Sequence, residues 1–161
     1  MLLQLADRQS KVLRSPTKLL EAVTPITKQF TGNMLDTMKA YEGVGLAANQ
    51  VGSEFRIAVI QAKGIRNKPL VLINPEITSI SDKTYDSAEG CLSLPKETHL
   101  VRRPEWVCIK YLDQNGKEQT LKAKHALARI VMHELDHLDG IVIDTKEYVC
   151  PKPQNLPTMK S

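Results

Sequence analysis

His133-Glu134-Leu135-Asp136-His137 places two imidazoles four residues apart. On a helix that spacing stacks them one turn apart on one face, where both can ligate one metal ion with a carboxylate beside them. Two histidines leave an ion undercoordinated, because a catalytic site takes a third protein ligand and keeps a position for water. A thermolysin-like protease needs a glutamate well downstream of the motif, where little chain is left, and a metzincin needs a third His six residues on, where Ile143 stands. Both protease patterns fail. Cys91, between Gly90 and Leu92 in a compact, turn-like segment, is the better third ligand, since a thiolate binds iron, zinc or cobalt strongly. Cys108 lies in an apolar run and Cys150 in a Pro-rich tail, and both read as structural or incidental. His99 and His125 lack a partner at ligand spacing and read as surface or hairpin residues.

Gly43-Val44-Gly45-Leu46-Ala47-Ala48-Asn49-Gln50 is a second candidate segment. It follows a helical pattern instead of a strand and has no correctly placed third glycine, which excludes a dinucleotide fingerprint. Its small residues serve close packing, or they let a substrate backbone approach while the Gln50 amide donates to a developing oxyanion.

The elements that must position these residues follow from periodicity. Thr24-Pro25 opens a helix over residues 25–42, with Ile26, Phe30, Met34, Met38 and Tyr41 at steps of three or four. The glycine-punctuated stretch 43–52 reads as a loop. Residues 55–60 and 70–73 read as strands, the second stopped by Asn74-Pro75, with a continuation over Ile77 to Ile80 after a bulge. Trp106–Leu112, Asp113-Gln114-Asn115-Gly116 and Lys117–Leu121 form the clearest hairpin, the Asn-Gly pair supplying positive φ. A buried helix over residues 125–138 presents Ala126, Ile130, His133 and His137 on one face and Leu127, Val131, Leu135 and Leu138 on another, and stops at Asp139-Gly140. Two helices among short strands and hairpins define an α+β domain with largely antiparallel sheets. It spans residues 1–148, and the Pro-rich tail 149–161 is expected to be extended.

With 161 residues, 42% hydrophobic and 25% charged, and a mean hydropathy of -0.26, the chain fits one ordinary globular domain and excludes disorder or a spanning helix. The N-terminal apolar run is too short for a signal peptide, so a cytosolic location is expected. The net charge of +4 is spread over scattered basic residues, with 4% aromatics, and reads as a solvated surface rather than a nucleic-acid groove. Three cysteines do not make a secreted disulfide framework.

Taken in order, Gly43 to Gln50, Glu89-Gly90-Cys91-Leu92-Ser93 and His133 to His137 resemble the motifs of the peptide deformylase family, Gly-x-Gly-Leu-Ala-Ala-x-Gln, Glu-Gly-Cys-Leu-Ser and His-Glu-x-x-His. The likeness extends over residues 10 to 147. It implies antiparallel sheets packed around a central metal-binding helix, and removal of the formyl group from N-formylmethionyl nascent peptides with release of formate. Cys91, His133 and His137 become the ligands of one divalent ion, Fe(II) in the native state, with Zn(II) or other divalent metals in isolated protein; the residue types alone do not choose between them. Glu134 becomes the general base and acid, with Gln50 and the backbone N–H of Leu92 as oxyanion donors. The substrate would lie along Gly43, Val44 and Gly45, with its methionine against Val44, Ala126, Ile130 and the aliphatic stem of Arg129. Glu89 would pair with Arg103 behind the metal loop. The resemblance further implies a cytoplasmic monomer without membrane contact.

Three features depart from the family pattern. Met132 stands where Gln usually precedes the first His, the Thr98-His99 region lacks the arginine some relatives use to meet the peptide, and a short tail replaces the C-terminal helix that docks on the ribosome. Ribosome contact would therefore proceed without such a helix. A non-catalytic binder of formyl peptides is opposed by the intact Glu134, and a general metallopeptidase by Cys91.

Overall fold

The computed structural model describes residues 1–145 and 158–159 of the chain; Cys150 and most of the Pro-rich tail lie outside them. Helix α1 (Pro25–Ala40) starts where the sequence predicts: Thr24 accepts from the Thr27 backbone, Thr27 reciprocates, and Pro25 occupies the first turn. Of the expected stripe, Met34 and Met38 are fully buried, whereas Ile26 at its start is 78% exposed. Thr27, Thr31 and Thr37 complete the buried side. The threonines tolerate burial by bonding within the helix, Thr31 Oγ1 donating to Lys28 O at 3.0 Å.

The stretch expected as a loop is shorter and more regular, with strand β1 (Gly45–Ala47) running into a 3-10 turn over Ala48–Val51. Pairing with β2 (Ile57–Ala62) holds β1 in place. Strand β3 (Arg66–Ser81) does not stop at Asn74-Pro75; it continues over Ile77 to Ile80 after an irregularity, as expected. Asn74 takes a φ of 51° where the register shifts, so β3 bends and changes neighbours, pairing with β2 over its first half and with the strand at Trp106–Leu112 over its second. The polar run β4 (Thr84–Cys91) then pairs with β5 (Leu94–Pro104), a hairpin the sequence did not announce. Strands β6 (Trp106–Leu112) and β7 (Glu118–Lys124) form the expected hairpin, with Gly116 alone supplying the positive φ of its turn. Helix α2 (His125–Leu138) follows, and β8 (Thr158–Met159) pairs parallel with the end of β3.

The main sheet runs β1-β2-β3-β6-β7, while β4 and β5 make a separate two-stranded sheet. One core cluster joins Ala58, Ile60, Leu72, Val107 and Ile109 of the main sheet to Val131, Met132, Leu135 and Leu138 of α2. A second joins Met34 and Met38 of α1 to Leu46 of β1 and to Val59, Val71 and Ile73, the alternate positions of β2 and β3. Helix α2 is therefore buried on one side against the main sheet, and the β4–β5 hairpin covers another part of it. Met132 belongs to the first cluster, which explains how Met replaces a polar residue there without touching the cleft.

Candidate metal centre and active-site cleft

Alternation along β4 is the local reason Cys91 faces the helix. Tyr85, Ser87, Glu89 and Cys91 are half-buried while Thr84, Asp86, Ala88 and Gly90 are exposed, so period two puts Glu89 and Cys91 on one face. The 3.6-residue period of α2 puts His133 and His137 opposite them. Cys91 Sγ and His133 Nε2 each lie 3.2 Å from His137 Nε2, and one donor atom from each residue falls within 4.8 Å of the other two.

The surroundings prepare these groups as ligands. His133 Nδ1 lies 2.9 Å from Glu89 Oε1, which fixes that nitrogen as the donor and leaves Nε2 free for an ion. Burial keeps His137 neutral, its pKa well below 6.5, with His133 adding to the shift. Burial also pushes the Cys91 thiol up to about 11 against hydrogen bonds from Ser93 and Leu94, so the thiolate needs a cation beside it. A set of two imidazoles and one thiolate, buried and converging, suits a borderline-soft divalent ion.

Glu134 packs beside the centre, against Gly45, whose hydrogen occupies space that a Cβ would contest at 2.3 Å from Glu134 Oε1. Its Oε2 is buried without a hydrogen-bond partner among the described residues, and burial lifts the carboxyl to about 8. Gln50 is buried below, its Oε1 accepting from Ala47 N at 2.8 Å and its Nε2 reaching Ser93 Oγ at 3.1 Å and Cys91 Sγ at 3.7 Å.

A cleft of about 690 Å³ opens over the centre. Gly43, Val44, Leu92, Ala126, Arg129 and Ile130 line it, with Cys91, His133 and Glu134 on its floor. Gly45, expected along the substrate, is buried, with Glu134 packed against it. Gly43 lies tight on Leu92, a Cβ there meeting Leu92 Cδ1 at 2.6 Å.

The expected Glu89–Arg103 pair is present and larger than foreseen. Arg103, fully buried, donates to both Glu89 oxygens at 2.6 and 2.8 Å and to Asp136 Oδ2 at 2.8 Å. Burial works against the Glu89 charge, yet the Arg103 and His133 bonds hold its pKa at about 2. Burial lifts the Asp136 carboxyl to about 7 despite Arg103. Asp136 was not singled out from sequence; a carboxylate inside a strongly apolar helix, facing buried density, is the signal that could have marked it. Asn49 was also missed. It is buried, and its amide nitrogen donates to the backbone carbonyls of Leu13 and His137.

An α+β domain with an i, i+4 histidine pair, a converging cysteine and a carboxylate in an open cleft is that of a metal-dependent hydrolase. The polypeptide deformylase family model matches residues 2–147. Peptide deformylase 1 of Nostoc sp. is 44% identical over 142 residues, covering 87% of this chain and 76% of that protein. The crystal structure of peptide deformylase from Ehrlichia chaffeensis superposes with a TM-score of 0.84 at 35% identity, covering 89% of this chain and 86% of that one. That of Synechococcus elongatus in complex with actinonin gives 0.84 at 40% identity, covering 88% and 76%. The chain belongs to the polypeptide deformylase family, metal-dependent hydrolases that remove the N-formyl group from nascent peptides.

Proposed function

We propose that Cys91, His133 and His137 hold one divalent ion, Fe(II) in the native enzyme, and that Glu134 is its proton-transfer partner. The observation that carries this reading is the convergence of one sulfur and two imidazole nitrogens within 4.8 Å, beside a cleft whose lining includes Cys91, His133 and Glu134. An ion held there supplies Lewis acidity, lowering the pKa of a water and polarising the formyl carbonyl.

The chain's own residues do the rest. Glu134 takes a proton from the attacking water and delivers it to the amine nitrogen as the C–N bond breaks, leaving formate and a free methionyl amine. Gln50 Nε2 and the backbone N–H of Leu92 donate to the oxyanion as it forms. The methionine side chain packs on Val44, Ala126, Ile130 and the Arg129 stem, where apolar burial contributes about 1.5–3 kcal/mol. Glu89, backed by Arg103, orients His133 through Nδ1.

We further propose that the enzyme acts on nascent chains as a cytoplasmic monomer. Among the described residues no helix is long and apolar enough to cross a membrane. Formate release from a formyl-methionyl tripeptide, by protein loaded anaerobically with Fe(II) and assayed for metal, tests the reading. Turnover is expected at about one ion per chain, and Glu134→Ala should abolish it with the ion retained. Turnover by that variant would remove Glu134 from the mechanism. Aerobic half-life tests the metal: the iron form should inactivate faster than the zinc form, since ferrous iron and its thiolate both oxidise.

A further inference from the structure

The centre is divided between two elements that share no sheet. Cys91 ends a hairpin whose strands pair only with each other among the described residues, while both histidines ride on α2. Continuity with β3 and β6 anchors the hairpin at its root, and at about 3.3 Å per residue Cys91 lies roughly 23 Å along β4 from that anchor. Something nearer the tip must hold it laterally against the helix.

Two buried arginines cross this gap in opposite directions. Arg103, on the hairpin, reaches Asp136 on the helix at 2.8 Å. Arg129, on the helix, reaches the hairpin: Nη1 donates to Tyr85 O at 3.2 Å, and Nη2 to Ser87 O at 3.2 Å and to Val101 O. Ser87 and Val101 are partners in the β4–β5 register, so one guanidinium grips both strands at one rung. Its carbon also lies 4.7 Å from the centroid of the Tyr85 ring. The same Nη2 is 3.0 Å from Glu89 Oε2, the carboxylate whose other oxygen meets His133. The sequence suggested only an aliphatic stem here; the structure turns the stem to the cleft and buries the charged head.

We infer that Arg129 is a positioning residue for the metal: its guanidinium fixes the Cys91 hairpin against the histidine helix and so keeps the thiolate within reach of the ion. The inference rests on the ligand set proposed above. A planar fork with several donors can bridge three carbonyls and a carboxylate at once, whereas an ammonium cannot.

Arg129→Met keeps the stem that lines the cleft and removes the fork; Arg129→Lys keeps stem and charge. Arg102→Ala breaks only the exposed pair with Asp86 on the outer side of the same hairpin and controls for general loosening. Each protein is loaded with Co(II), its thiolate-to-cobalt absorption recorded, and the rate of metal loss to a chelator followed with no substrate present. Arg129→Met should weaken the thiolate band and release metal about 10- to 100-fold faster, the range for lost supporting contacts around a metal. Arg129→Lys should fall between it and wild type, and Arg102→Ala should match wild type. Wild-type band and release rate in folded Arg129→Met would overturn the inference; if that variant does not fold, the same result in Arg129→Lys would. Equal acceleration by Arg102→Ala would reduce the effect to general stability and overturn it too. A wild-type protein with no thiolate band would sink the ligand set itself, a failure visible before any variant is compared.

Discussion

A methyl group on residue 45 would lie 2.3 Å from Glu134 Oε1 and 2.7 Å from its carboxyl carbon, well inside van der Waals contact. Gly45→Ala should therefore push the carboxylate off its position while leaving the ligands in place. A displacement of an ångström at a proton-transfer group costs about 100-fold, so kcat should drop by that order with metal content unchanged. Gln50→Ala should cost about 100- to 1000-fold in kcat if its amide meets the oxyanion; steady-state formate release measures both. At this scale the sequence was informative where chemistry is local. Two histidines at i and i+4 with Glu134 between them advertise their geometry, and Cys91, read from the sequence as the third ligand, converges with them. Asp136, Asn49 and the buried head of Arg129 were not legible, because their partners, Arg103, Leu13 and the Val101 carbonyl among them, come close only through tertiary packing.

Between elements, the decisive contact is the buried ionic cluster of hairpin and helix. Arg103→Met would leave the Glu89 and Asp136 carboxylates without their shared guanidinium in a buried setting. Breaking such a cluster from one side costs about 3 kcal/mol, which urea unfolding of the zinc protein should register as a lower midpoint at unchanged slope. The hairpin that carries this cluster was also the element missed in the sequence. Its inward positions mix Leu94 and Val101 with Tyr85, Ser87, Glu89, Cys91 and Arg103, too polar a set to mark a pair of strands. Helix α2 and the β6–β7 hairpin were legible because the positions they turn to the shared core, Val131, Leu135 and Leu138 on the helix and Val107, Ile109 and Ala123 on the strands, are apolar and spaced at the period of their own geometry. The break expected at Asn74-Pro75 is a real irregularity, yet it bends β3 between two partners instead of ending it.

Over the whole molecule, the segment before α1 wraps the other elements together. Ala6 N donates to Gln50 O at 2.8 Å, and Thr17 binds Leu138 O through both its backbone N–H and its hydroxyl. The wrap is fastened at Asp144, which accepts from Arg14 at 3.0 and 2.8 Å and from Arg8 at 3.4 Å. Hydrogen bonds from Arg14 hold the Asp144 carboxyl below its ordinary 3.8. A group depressed by folding lends stability above its unfolded pKa and withdraws it as pH falls through the folded value. Asp144→Asn should thus lower the Tm at pH 6, and its gap from wild type should close as acid carries the pH below 3.8. A gap that stays constant with pH, in thermal melts from pH 6 downward, would deny the ionic role.

The division of the centre between hairpin and helix also orders events during synthesis of the enzyme itself. Cys91 precedes His137 by 46 residues, so a growing chain exposes a lone thiol before either imidazole exists to join it. One ligand holds an ion weakly, and the proposed set of three exists only in the folded state. Metal uptake then becomes a late inspection of the finished fold: copies truncated or misassembled before α2 docks are passed over, and scarce ions go to molecules able to use them.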